Sequence, residues 1–141
     1  MIITSRLSPL ASRLENMKRL KDLIVYQKSK DLVMSVYGIM DSFPDSERFA
    51  LSNQIRRAVV SIPSNIAEGM GRVSDKDQAH FLNIAYGSVM ETYAQLDIAH
   101  DLGYITDEIF NKLESDIEEV SKMISVMASL RTISPSSRSK N

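Results

Sequence analysis

The chain contains no cysteine, which removes disulfides, thiolate zinc sites, iron–sulfur ligation and cysteine nucleophiles and fits a reducing compartment. No stretch approaches the roughly 20 apolar residues that a membrane-crossing helix needs, and the N-terminal segment has no continuous apolar run of signal-peptide length. The sequence therefore reads as cytoplasmic, with no membrane partner. Histidine is scarce: His80 and His100 are the only two, and their spacing is not that of a metal pair on one helical turn. No glutamate is followed three residues later by histidine, so the inward donors of a di-iron bundle are missing. Gly69-Met70-Gly71-Arg72 has too few glycines and no strand pattern for a phosphate cradle, and reads as a helix stop. No motif places a Ser, His and Asp set. These absences predict a protein that is not an enzyme and that has no cofactor, no metal and no small-molecule substrate.

What is present is enough for one domain. At 141 residues the chain can bury roughly 68 to 70% of its unfolded surface without staples. Net charge is −1, but it is unevenly placed. Up to Arg72 there are 11 basic and 7 acidic residues, and beyond it 6 and 11, so the halves carry +4 and −5. That sum excludes a uniformly cationic coat and leaves a basic patch in the first half or opposite patches that pair subunits.

Residues 1–20 carry serines, a proline and arginines with no sustained helical stripe, and are expected to form a loosely ordered leader. Met17 within it offers an alternative start; a transit peptide is the sharper reading, and an upstream mis-start the one preferred. Residues 21–133 hold four helical segments, and the polar, proline-broken residues 134–141 read as a disordered tail. The first segment, from Leu23 to Ser42, places Leu32, Val33, Val36, Tyr37, Met40 and Phe43 on a broad apolar stripe that Pro44 ends. Asp45 or Ser46 is expected to cap the second, run from Glu47 to Glu68, whose residues Ile55, Val59, Ile62 and Ile66 share one face. Pro63 predicts a bend or break there, and Gly69 and Gly71 an end.

Ser74 with Asp77 matches a capping box for the third segment, which lines up Phe81, Ala85, Val89, Thr92, Leu96 and Ala99 and in which Gly87 and Ser88 permit a close neighbour. Gly103 ends it. Thr106 caps the fourth, whose stripe Ile109, Leu113, Ile117, Val120, Ile124, Met127 is near-heptad. Nothing alternates with period two. The predicted fold is all-α, an antiparallel up-down-up-down four-helix bundle, because short links make consecutive helices neighbours. Five tyrosines and scattered methionines exceed what one narrow stripe needs, which leaves apolar surface for another subunit.

Functional candidates are surface groups. Arg56 and Arg57 point about 100° apart on a helix, so one faces inward, and Glu91 is the carboxylate assigned to Arg56. The outward Arg57, with Arg48, Arg72, Lys28 and Lys30, forms a candidate phosphate-binding surface. Lys18, Arg19 and Lys21 stand close by in sequence. Aromatic interleaving of the kind that stacks single-stranded bases is not evident. Ser61, Asn65 and Glu68, with Arg56 and Glu91, form a candidate polar network, read as capping and inter-helix hydrogen bonds ahead of a site at the bundle end.

The chain closely resembles the 23S rRNA intervening sequence protein family through QIRRAVVSIPSNIAEGMGR (Gln54 to Arg72), FLNIAYGSVMETYAQLDIAHDLGYI (Phe81 to Ile105) and DLIVYQKSKDLV (Asp22 to Val33). The pairing of SIPSNIAEG with IAxGSxxE carries the specificity. The resemblance implies a left-handed up-down-up-down bundle assembled into a closed homopentamer, in a family of open reading frames inserted in bacterial ribosomal RNA genes, with no enzymatic activity. The accessory protein of diversity-generating retroelements is similar, and that likeness implies a basic surface for nucleic acid and a reverse transcriptase. The expected function is therefore a non-catalytic oligomer that binds RNA or a nucleoprotein partner through helices one and two. Its rival is a protein–protein assembly scaffold without nucleic acid.

Overall fold

The computed structural model describes residues 9–133, with side chains from residue 12 onward. Among them the protein is all-α: five α-helices, two 3-10 turns and no strand. The helices are α1 (Pro9–Asp22), α2 (Ile24–Gly38), α3 (Leu51–Met70), α4 (Asp75–Asp101) and α5 (Asp107–Thr132). The expected tail, residues 134–141, lies outside the described residues.

Residues 9–20 of the expected leader fall within α1 (Pro9–Asp22). Proline suits a first helical position because its missing N–H would be unpaired there anyway. Arg19 and Lys21 occupy the last turn, at the negative end of the helix dipole. Its exposed Leu14 and Met17 show why no buried stripe was legible: local propensity, with limited packing, makes this helix. One extended residue, Leu23, separates it from α2, and the Gln27 side chain donates to the Lys21 carbonyl across the joint at 2.7 Å.

α2 ends at Gly38, earlier than predicted, and the chain descends through 3-10 turns at Met40–Ser42 and Asp45–Glu47. Buried, extended Phe43 lies between them. This detour delays α3 to Leu51, so its cap residue is Ala50, with no side-chain cap bond, and not Asp45 or Ser46. α3 then runs unbroken through Pro63. Ser64 Oγ donates to the Val60 carbonyl and Asn65 Nδ2 to the Ser61 carbonyl, both at 2.8 Å, supplying donors beside the gap that the proline leaves.

The helix termini at either end of α4 follow the sequence signals closely. Ser74 accepts from the Asp77 amide and Thr106 from the Ile109 amide, each satisfying a first-turn N–H. Gly103, at φ 81°, closes α4: its amide bonds to His100 and that of Tyr104 to Ala99, a paired arrangement that needs a left-handed residue.

α3 packs on α4 and α4 on α5, while α2 touches both α3 and α5; α1 rests on α2 and α3. The core between them contains Ile55, Val59, Ile62 and Ile66 of α3, fully buried as their spacing predicts. Leu82, Ala85, Val89, Leu96 and Ala99 oppose them from α4. On α5 the buried set is Phe110, Leu113, Ile117, Val120, Ile124 and Ala128. Ile109 and Met127, at the ends of the predicted stripe, give way to their neighbours because a 3.6-residue helix drifts off a seven-residue repeat.

Two glycines exchange roles. Gly69 does not stop α3; a Cβ there would meet the Gln78 carbonyl and Phe81 Cβ at 3.3 Å, so its lack of side chain lets α4 approach. Gly87, expected to permit such an approach, has nothing within 4 Å of its Cβ position.

Ile62→Asp should abolish cooperative thermal unfolding, since an unpaired buried carboxylate is among the costliest substitutions; a normal melt would place Ile62 outside the core. Gly103→Ala should lower stability by about 1 to 2 kcal/mol in denaturant titration, and an unchanged midpoint would refute the left-handed closure.

Candidate nucleic-acid interface

With its apolar stripe committed to the core, α3 turns Asn53, Arg57, Val60 and Ser64 toward the other side, spaced four, three and four. Arg56 lies between the two faces. It is half-buried, and its guanidinium donates to the Arg48 carbonyl at 3.2 Å. It therefore ties the Arg48–Ala50 turn to α3 and does not pair with Glu91, the carboxylate assigned to it from the sequence. The Arg48 guanidinium lies 5.3 Å from the ring centroid of Phe49, and that ring is 85% exposed.

The predicted basic residues do not converge. Lys28 of α2 reaches Glu119 of α5 at 2.8 Å. The hydrogen bond and charge of Glu119 raise the Lys28 pKa above its ordinary 10.5. Lys30 sits 5.0 Å over the Tyr26 ring. Arg72 pairs with Glu68 one turn back and covers the Phe81 ring at 4.7 Å. Arg57 and Arg72 are about 22 Å apart along the helix axis at 1.5 Å per residue. Arg57 alone of the five is engaged by no ion pair, hydrogen bond or ring contact among the described residues.

The candidate polar network divides likewise. Ser61 and Ser88 share a 2.8 Å hydrogen bond between α3 and α4, and Asn65 donates to the Ser61 hydroxyl at 2.9 Å. Glu68 belongs to Arg72. Glu91 accepts from Gln95 at 3.1 Å, and the other amide atom of that glutamine, Oε1, is buried without a partner. Ser61, Asn65 and Ser88 thus form an inter-helix clasp.

Two shallow grooves flank the outward ridge of α3. The one toward α2 encloses about 360 Å³ between Tyr37, Arg56 and Val60. That toward α4 encloses about 450 Å³ between Phe49, Gln54 and Glu91. Asn53, Arg57 and Ser61 border both. Sequence reading missed Phe49, Asn53, Gln54 and Tyr37 as site residues. The signal was the Arg48-Phe49 pair beside the helix start, but a helix begun at Glu47 hid the turn that lifts the ring outward.

Asp97, His100 and Asp101 offer metal-type donors within 4.8 Å of one another. His100 Nε2 is bonded to Asp107 at 2.6 Å and its ring stacks on Phe110, so the cluster first serves the α4–α5 turn. Among the described residues no helix is long and apolar enough to cross a membrane.

These features define an all-α protein with a polar, aromatic-edged ridge on its third helix. The family model for the 23S rRNA-intervening sequence protein matches residues 21–126, and the chain belongs to that family. A solved structure of a protein with unknown function from the S23 ribosomal protein family of Bacteroides thetaiotaomicron VPI-5482 is 28% identical. The match has a TM-score of 0.67 and covers 73% of this chain and 97% of that one. No curated protein matches the chain.

A raised Lys28 pKa means that its pair with Glu119 contributes stability below pH 10.5 and loses it as the pH climbs through the raised value. The melting advantage of wild type over Lys28→Met should therefore shrink above pH 10.5; an advantage that persists there would mean the pair does not form.

Proposed function

We propose that the chain is a non-catalytic, cytoplasmic four-helix bundle that assembles with copies of itself and binds RNA or a nucleoprotein partner through α2 and α3. The up-down-up-down arrangement of α2 to α5 is supported by their cycle of contacts and by the short links at residues 71–74 and 102–106. The pentamer implied by the family resemblance is the assembly proposed.

The observation that carries the RNA reading is the Arg57 guanidinium, exposed on the outward ridge and uncommitted among the described residues while its basic neighbours are engaged. A cation left without a partner retains its full attraction for phosphate. Self-association draws support from α4. Ile84, Tyr86, Met90 and Ile98 of α4, with Leu102 just after its end, are 40 to 54% exposed. A helix apolar well beyond its buried face is suited to a second packing partner. That same observation favours the rival reading, a scaffold with no nucleic-acid role.

Retention on RNA should fall with salt, by about 0.7 to 0.9 in log K per log salt for each phosphate neutralised. Arg57→Ala should reduce that slope by about one such step, and Arg72→Ala by less because Glu68 already engages it. Absence of binding even at low salt leaves the scaffold reading in place. Sedimentation at several concentrations should give a multimer mass; a monomer throughout would remove the assembly proposal.

A further inference from the structure

The ridge of α3 carries more than charge. Phe49 stands in the turn before α3, Tyr37 on α2 and Arg57 on α3, and the grooves they border share Asn53 and Arg57. Three elements thus bring together an arrangement that sequence order disperses: two exposed rings, one free guanidinium and amide side chains. We infer that this face binds single-stranded RNA, with an unpaired base stacked on Phe49 and an adjacent phosphate on Arg57. The inference rests on the RNA-binding reading above and narrows it to unpaired strand.

The ligand class follows from what the surface lacks. Duplex RNA is held mainly through phosphates and 2′-hydroxyls, with its base faces covered, and a rail of free cations would suit it. Here one guanidinium of the five basic candidates, that of Arg57, is uncommitted among the described residues, fewer than such a rail would offer. A ring 85% exposed, with the Arg48 guanidinium over one face 5.3 Å from its centroid, offers an unstacked base its other π face close to a cation. The Asn53 and Gln54 amides can bond a base edge, and the Glu91 carboxylate can accept from a base N–H. A second copy of the chain fits less well at the Glu91 side of this ring, because carboxylates are depleted from protein interfaces.

The test uses the full chain and two labelled RNAs, an oligouridylate of about 12 nucleotides, within the range for single-strand sites, and a duplex of the same length. Phe49→Ala should weaken oligouridylate binding roughly five- to 150-fold, the range expected for one lost stacking contact. Duplex affinity, salt slope and melting temperature should not change. Phe49→Trp should restore binding, and as the chain has no other tryptophan, its emission should be quenched by oligouridylate. If Phe49→Ala leaves both affinities unaltered or lowers both equally, stacking is refuted while RNA binding stands. If wild type binds neither RNA at low salt, both readings fall. If Phe49→Ala changes the sedimenting mass, a second copy occupies this face and the inference is overturned.

Discussion

The structure depends on α3 keeping one unbroken apolar stripe across a proline. Losing a helix-interior hydrogen bond and accommodating the Pro63 ring costs about 3 kcal/mol or more. Full burial of Ile55, Val59, Ile62 and Ile66 contributes about 1.5 to 3 kcal/mol for each side chain, so packing prevails and the helix continues. Continuity matters because the stripe fixes the helix rotation. Once those four side chains face α4 and its neighbours, Asn53 and Arg57 must face out.

Contact with α4 is close for a related reason. Gly69 has no side chain where the Gln78 carbonyl and Phe81 arrive, and Ser61 meets Ser88 by hydrogen bond further along. Small residues at both places allow a tight crossing, and the Arg56 bond to the Arg48 carbonyl fastens the preceding turn to the same helix. The outward ridge is consequently built on a rigid element, with Phe49 displayed from a turn tied to it.

Periodicity made the core legible in the sequence because a buried face repeats: the α3 stripe, the serine and threonine caps and the Gly103 closure all appear where spacing placed them. α1 was not legible, since an exposed helix leaves no apolar repeat to read. The surface was less legible still. Which cations are free depends on partners distant in sequence, as Lys28 with Glu119 illustrates, and no local pattern encodes that. The aromatic edge is not legible in the sequence because Tyr37, Phe49 and Arg57 belong to different elements, joined only by the detour through Phe43 and Pro44. Topology alone points Arg56 inward to Glu91 on the neighbouring helix, while the nearer carbonyl of Arg48 is encoded only by that turn.

The account's central claim is that α3 divides the molecule into a buried stripe and an outward ridge, the one proposed to face RNA. Zero-length photo-crosslinking of single-stranded RNA to the protein, followed by peptide mapping, tests it most directly. The account predicts cross-links concentrated in the peptide from Phe49 to Arg57. Cross-links confined to α4 and α5, with that peptide unmodified, would contradict it.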